Sequence, residues 1–450
     1  MVVVNPATEE RLAELPASTS ADLDEAVQAG QRALAGWQAD IGRRRQVLLD
    51  CAEALAAHAD ELARLLTLEQ GKPLPKARRE VMGSAAWLRY TATLELPVEI
   101  ARDDEVTRIE VHRRPLGVVA GIIPWNYPLM TAIWKIAPAL LAGNAIIIKP
   151  SPFTPLATVR MGEILDTIVP AGVLRVLVGG DELGRAISAH PEIAKVSFTG
   201  STVAGRHVAA SAGQGLKRVT LELGGNDAAI VLDDVDPRQV AQKLFWGAFE
   251  NSGQVCVAIK RLYLHARIHD VVVEELIALA TRTHLGNGLD EGVELGPLCT
   301  RPQFDRVLEL IEDARVAGGL VVTGGRRVGE RGYFIAPTLV TGLDAQARLV
   351  AEEQFGPVLP CLRFDEVEQA VAAANASPYG LAGSVWSSDP SRAAAVAAQL
   401  QCGTAWINAH IAIVPQAPIE GCKASGVGVE NGLPGLYGYT RLQTVVTPKS

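Results

Sequence analysis

Apolar residues recur at helical spacing early in the chain. Leu23, Ala26, Val27, Leu34 and Trp37 share one face, which predicts helices from about residue 21 to 70 with Ser20 as the first cap. Gly30 falls on the same face and weakens the pattern, and Gly71-Lys72-Pro73 ends it. From about residue 115 the chain changes to short apolar runs separated by helix-length segments: 117–123, 145–148, 173–178 and 194–198. Runs of this kind predict strands buried on both faces, as in a parallel sheet covered by helices. The fold class that follows is α/β, doubly wound. A second α/β block is predicted from about Thr220 to Asn408, with helices over 303–317 and 366–376. Residues 107–112 alternate as a half-exposed strand, and 442–447 have a similar composition. Exposed strands invite edge pairing, so these two predict mutual pairing or a subunit contact.

A length of 450 residues predicts two or three domains. With 48% hydrophobic and 20% charged residues the chain is globular rather than disordered. Its net charge of −8, with no run of Lys or Arg, argues against nucleic-acid or anionic-membrane partners. Residues 1–6 lack the basic and apolar regions of a signal peptide, and no 18-residue apolar run follows, so a soluble cytoplasmic protein is expected. The six cysteines form neither a C-x-x-C pair nor a Cys/His cluster of zinc-site spacing. Reduced thiols and no metal site are the expectation.

Chemistry concentrates in a few segments. Asn251-Ser252-Gly253-Gln254-Val255-Cys256 places a thiol after a Gly that permits close approach of a ligand. Upstream, Glu222 ends an apolar strand before Gly224 and Gly225. It reads either as a surface acid or, with Cys256, as the base that activates water on a covalent intermediate. Asn126, in Pro124-Trp125-Asn126-Tyr127-Pro128, follows the 117–123 strand and sits where open α/β sheets bind ligands. Its amide suits an oxyanion, or else simply bonds its own turn. Gly200 to Gly205 lead from a strand into a helix whose amides suit a pyrophosphate, although such turns are also plain punctuation. Lys149 ends the 145–148 strand, within reach of ribose or phosphate oxygens or of solvent.

Together these segments resemble the aldehyde dehydrogenase superfamily from about residue 4 to the C-terminus. The likeness rests on motif order: Asn126, Lys135, Lys149, Gly200, Glu222-Leu223-Gly224-Gly225, Gly253-Gln254-Val255-Cys256, Glu352 to Pro357 and Lys423 to Gly426. The resemblance implies a Rossmann-like NAD(P) domain over 1–106 and 116–221 and a catalytic domain over 222–410. It also implies a small β oligomerisation element over 107–115 and 437–450, with 411–436 returning to the cofactor side. It implies a homodimer or homotetramer acting on a small aldehyde. Cys256 would be the nucleophile, with its thiolate favoured by its surroundings and the fastest of the six to alkylate. Glu222 would be the base, Asn126 the oxyanion donor, and Lys135 and Glu430 a proton relay. Tyr127 and Trp134 would line the aldehyde channel, and the segment from His410 to Val414 hints at further apolar lining.

For the cofactor, the resemblance assigns Lys149 to the adenine-side ribose, Ser201 to the pyrophosphate, and Glu353 and Phe355 to the nicotinamide side. Pro124, Trp125, Ser151, Gly200, Gly205, Leu223 and Gly224 are further cofactor positions. NAD-dependent relatives often carry an acid three residues after the ribose-binding Lys. Here that position is Pro152, so the cofactor is expected to be NAD or NADP. Glu250 stands where relatives often carry an apolar channel residue, and Glu420 where they carry Gly. Either acid would favour a polar or cationic aldehyde if it faced the channel, or else would face solvent or a partner subunit. Transfer of the acyl group to coenzyme A is disfavoured by Glu222, and the remaining alternative is a catalytically silent binding or structural relative of the same fold.

Overall fold

The computed structural model describes residues 1–449. Its first long helix, Ser20–Gln38, is capped by Thr19 rather than by Ser20. The Thr19 side chain accepts from the Asp22 amide while the Asp22 carboxylate accepts from Thr19, a reciprocal arrangement that satisfies two free N–H groups. Leu23, Ala26, Val27 and Trp37 are buried as the spacing predicts. Gly30 lies on the buried face for a packing reason, since an added Cβ would stand 3.1 Å from Val118 and 3.2 Å from Ala145. The glycine lets the helix rest directly on the sheet.

After Gly71, whose φ of 97° closes the preceding helix, a further helix spans Leu74–Ala92. Its buried face mixes Ala77, Glu80, Val81, Ser84, Ala85 and Leu88. Small and polar side chains on that face dilute the apolar periodicity by which such a helix is read from sequence.

Val118–Ile122, Ala145–Lys149, Leu174–Val176, Lys195–Thr199 and Arg218–Glu222 form a parallel sheet, and Gly426–Val427 adds an antiparallel edge. Its spatial order is Gly426–Val427, Arg218–Glu222, Lys195–Thr199, Val118–Ile122, Ala145–Lys149, Leu174–Val176. The register sets Ile122 beside Lys149 and Phe198, and Thr199 beside Glu222. The carboxyl ends of four strands therefore meet along one rim, the usual ligand edge of an open α/β sheet.

A second sheet of seven strands is built around Asp227–Val231, Ile259–His265, Val358–Phe364 and Ala382–Trp386, all parallel to their neighbours. Each sheet has its own apolar core. The two segments that stood apart pair with each other, Thr107–Pro115 with Thr440–Pro448 along their full lengths. A third strand, Glu99–Asp103, joins them on the other side. That strand, ending in Arg102 and Asp103, has too few apolar residues to be marked by alternation.

Candidate active site

The helix Pro237–Phe249 delivers the chain to a tight loop in which Asn251, Ser252 and Gly253 all take left-handed φ values of 51°, 57° and 74°. Two of these are not glycine, so the loop is strained and must be held by its surroundings. Gln254, fully buried, donates from Nε2 to the Asn251 carbonyl at 2.9 Å and accepts the Cys299 amide at 2.8 Å. Ser252 Oγ donates to the Gly296 carbonyl at 2.7 Å. Gly253 is required for a different reason than the motif implied. An added Cβ would overlap the Gly356 carbonyl, so its closeness is to the loop carrying Glu353 and Phe355, not to a ligand.

This loop meets the turn after the Val118–Ile122 strand. Asn126 Nδ2 donates to the Gln254 carbonyl at 2.9 Å, and Asn251 Nδ2 donates to the Asn126 carbonyl at 3.2 Å. Asn126 and Cys256 are thus brought together by the fold. A buried ion pair absent from the sequence reading supports the turn. Lys72 Nζ donates to the Asn126 carbonyl at 2.8 Å and pairs with Glu80. Glu80 in turn accepts the amides of Leu129 and Met130, capping the helix Pro128–Leu141. No local signal announces this pair, because its members lie far along the chain from the turn they hold.

Cys256 packs on the buried cluster of Val255, Val257, Ala258, Leu381 and Ala382, as do Tyr127, Ile411 and Ile413. Burial pushes its thiol up to about 12, Glu222, Asp227 and Glu353 add to the rise, and Lys260 opposes it. The expected thiolate-favouring surroundings are therefore not found in the protein alone. Lys260 donates instead to the carbonyls of Val255 at 2.7 Å and Cys256 at 3.2 Å. Burial likewise pushes Cys51, Cys361 and Cys402 up to about 12, so acidity does not distinguish Cys256 from them.

Glu222 is buried at the end of its strand, and its Oε1 has no hydrogen-bond partner among the described residues. Burial holds its carboxyl well above the usual range, with Glu430 and Glu420 adding and Lys135 opposing. Glu430 accepts from Lys135 Nζ at 2.9 Å and from Ser197 Oγ at 2.7 Å, and Lys135 also donates to Thr199 Oγ1 at 2.9 Å. Room for the Lys135 stem comes from Gly121, where a Cβ would lie 3.0 Å from Lys135 Cδ.

The expected cofactor positions follow the rim. Lys149 is buried, with one weak acceptor, the Pro150 carbonyl at 3.3 Å. Burial lowers it to about 8 and Asp181 opposes. A buried ammonium with spare protons fits a ligand rich in hydroxyl or phosphate oxygens. Ser151 is buried beside it and accepts the Phe153 amide. Gly200 donates its amide to the Glu222 carbonyl at 3.0 Å, and Ser201 caps the helix Thr202–Gln214. Gly205 and Leu223 are a packing pair, since a Cβ on the former would overlap the latter. Gly224 leaves space for the Glu353 carboxylate, which accepts the Gly225 amide at 3.0 Å. Trp125, after Pro124, meets the edge of Phe355 with centroids 5.3 Å apart.

Glu250 is engaged within the protein. Its carboxylate pairs with Lys76 at 2.7 Å, and Lys76 also lies over the Trp246 ring at 4.4 Å. The charge offered to a cationic aldehyde is thereby neutralised within the protein. Glu420 is exposed, and only its field reaches Glu222. Trp134 stacks on Trp87 at 6.0 Å in a small cavity with Tyr90, Pro415 and Asn431, apart from the apolar group around Cys256. Among the described residues no group of three or more His, Cys, Asp or Glu is placed to hold a metal.

Comparisons with known proteins identify the family. The aldehyde dehydrogenase family model matches residues 1–445. Phenylacetaldehyde dehydrogenase of Pseudomonas fluorescens is 40% identical, over 99% of this chain and 92% of its own. Betaine aldehyde dehydrogenase of Cereibacter sphaeroides is 39% identical, over 98% and 92%. Among solved structures, betaine aldehyde dehydrogenase of Staphylococcus aureus in complex with NAD+ superposes with a TM-score of 0.97 at 33% identity, covering 100% of this chain and 92% of that one. The chain belongs to the aldehyde dehydrogenase family. It is an NAD(P)-dependent oxidoreductase that converts aldehydes to carboxylic acids.

Proposed function

We propose that Cys256, Asn126 and Glu222 carry the reaction, with Lys135 and Glu430 serving the base. The observation that supports this most is the convergence of three chain segments. The strained loop holds Cys256 among apolar side chains, Asn126 is bonded to that loop, and Glu222 keeps an unpartnered buried oxygen nearby. The Cys256 sulfur adds to the aldehyde carbon, and the oxygen that gains charge is met by the free N–H of Asn126 Nδ2 and by the Cys256 amide. NAD(P)+ supplies the hydride acceptor when bound. Lys149, Ser201, Glu353 and Phe355 would hold it, with Pro124, Trp125, Ser151, Gly200, Gly205, Leu223 and Gly224 shaping the rim. Glu222 then takes a proton from water as that water attacks the thioester, freeing the acid and the thiol.

The test is NAD(P)H formation with an aldehyde panel. Cys256→Ala is expected to abolish turnover without lowering Tm, and Asn126→Ala to cost about 10²–10³-fold in kcat. Full turnover by Cys256→Ala would exclude the assignment.

The unit around the six-stranded sheet is read as the cofactor domain and that around the seven-stranded sheet as the catalytic one. Cofactor use is read as dual. Pro152 carries no charge to repel a 2′-phosphate, and Asp181 is the one acid whose field reaches Lys149. A preference for NAD above about a hundredfold, or ~2.8 kcal/mol, would contradict dual use. The three-stranded sheet exposes Ile100, Leu442 and Val446, which supports a homodimer or homotetramer that covers them. A free, functional thiol among six unpaired cysteines fits a reducing, cytoplasmic setting. Among the described residues no helix is long and apolar enough to cross a membrane.

A further inference from the structure

The central strand Ile259–His265 opens on a side chain that its sheet does not need. The register against Asp227–Val231 skips Lys260, so that Asp227 pairs with Ile259 and Ala228 with Arg261. An extra residue of this kind lets a strand re-aim one side chain, and such bulges gather beside active sites. Lys260 is 1% exposed, and a buried ammonium is costly unless its protons are answered. The nearest carboxylate among the described residues, that of Glu353, stands 3.9 Å away, beyond hydrogen-bond reach. Two backbone carbonyls take the protons instead, Val255 at 2.7 Å and Cys256 at 3.2 Å.

These two carbonyls flank the sulfur-bearing residue. A peptide unit is planar and conjugated, so the Val255 carbonyl and the Cys256 N–H belong to one unit and point in opposite directions. The Val255 oxygen also accepts the Ala258 amide at 3.1 Å, which holds that end of the unit from two sides, one of them charged. The other end is free, since the Cys256 amide donates to no acceptor among the described residues. A charge-assisted bond at the oxygen draws electron density from the nitrogen and makes the N–H a stronger donor. The bond to the Cys256 carbonyl fixes the following unit as well.

We propose that Lys260 is a positioning residue for the oxyanion, acting through the Val255–Cys256 peptide unit to aim and polarise the Cys256 amide. The proposal rests on the reading of Cys256 as the nucleophile. In the step it serves, the thiolate sulfur forms a bond to the carbonyl carbon and the pair of the C=O π bond moves onto oxygen, where the N–H meets it. Nothing is oxidised or reduced in that addition, and no group leaves. The charge of Lys260 thus reaches the reacting oxygen through one peptide unit, without touching the substrate.

The test compares two reactions of the same sulfur in the full chain at one pH. 4-Nitrophenyl acetate acylates it through a tetrahedral oxyanion and releases 4-nitrophenolate, whereas iodoacetamide alkylates it by displacing iodide, with no oxyanion. Rates are taken as the difference from Cys256→Ala, which removes the contribution of the other five cysteines. Lys260→Met is expected to slow acylation about tenfold more than alkylation, short of the roughly 10²–10³-fold that follows outright loss of an oxyanion donor. Lys260 also opposes the rise of the Cys256 thiol, but a smaller thiolate population slows both reactions alike and cancels in the ratio. A displaced loop, the signature of a merely structural role, does the same. Equal losses in the two reactions, or no loss in either, would overturn the proposal. Should Lys260→Met fail to fold, Lys260→Gln decides by the same ratio, because it keeps a polar side chain and removes the charge. Cys256→Ala separates the two claims. If it still oxidises aldehydes the nucleophile assignment itself fails, whereas if it is inert and the ratio does not move, only the role of Lys260 fails.

Discussion

Glu222 and Cys256 both lie where burial favours their protonated forms, yet the proposed chemistry needs both ionised. The expected consequence is a kcat/KM that rises with pH from neutral into the alkaline range, measured with saturating cofactor. Glu222→Gln should retain the NAD(P)H burst and lose about 10²–10⁴-fold in turnover. Stability should show the opposite slope. Asp227 has a buried oxygen without a partner, and burial holds it at about 8 against the ordinary 3.8. A carboxyl raised on folding contributes stability that is complete below about pH 4 and lost as pH rises toward its folded value. Asp227→Asn should therefore unfold like the parent near pH 4 and become more stable by pH 8, on the order of 3 kcal/mol, as read by denaturant titration. A parent advantage at pH 8 would show that the charge is needed.

At the level of elements, the site depends on two contacts between segments. Gly253 combines a φ of 74° with the closest approach to Gly356. Gly253→Ala should cost about 2–4 kcal/mol, from left-handed strain and overpacking, and should lower turnover more than Tm predicts, because it displaces Cys256. The Lys76–Glu250 pair ties the helix Leu74–Ala92 to the strained loop before Cys256. Glu250→Gln should destabilise by about 1–3 kcal/mol, since it leaves a mostly buried Lys unpaired. It should also alter the turnover of aminoaldehydes and neutral aldehydes equally, and a selective loss with aminoaldehydes would restore a role in specificity. Elements were legible where one rule governed them. The strands Val118–Ile122 and Ala145–Lys149 are buried on both faces and read as continuous apolar runs. The helix Leu74–Ala92 was not legible, because polar Glu80 and Ser84 occupy its inner face, Glu80 for reasons set by Lys72 and by the helix Pro128–Leu141.

Across the whole molecule, the three-stranded sheet presents apolar side chains and two free edges to solvent. Deleting residues 440–450 should shift the protein to a monomer in light scattering and reduce its solubility. An unchanged mass would place the subunit contact elsewhere. The site draws on segments from Lys72 to Glu430, so its geometry belongs to the whole fold and not to either sheet alone.

By itself the sequence determined the α/β class and the parallel strands and pointed to Cys256, Glu222, Asn126 and Lys149 as candidates, because alternation, turn residues and motif order are local properties of the chain. Only the tertiary structure decided how these groups behave. It placed Gly253 against Gly356, neutralised Glu250 with Lys76, raised the Cys256 thiol instead of lowering it, and set Lys260 against the carbonyls of Val255 and Cys256. Burial and charge depend on what the rest of the chain brings alongside, and no local pattern carries that information.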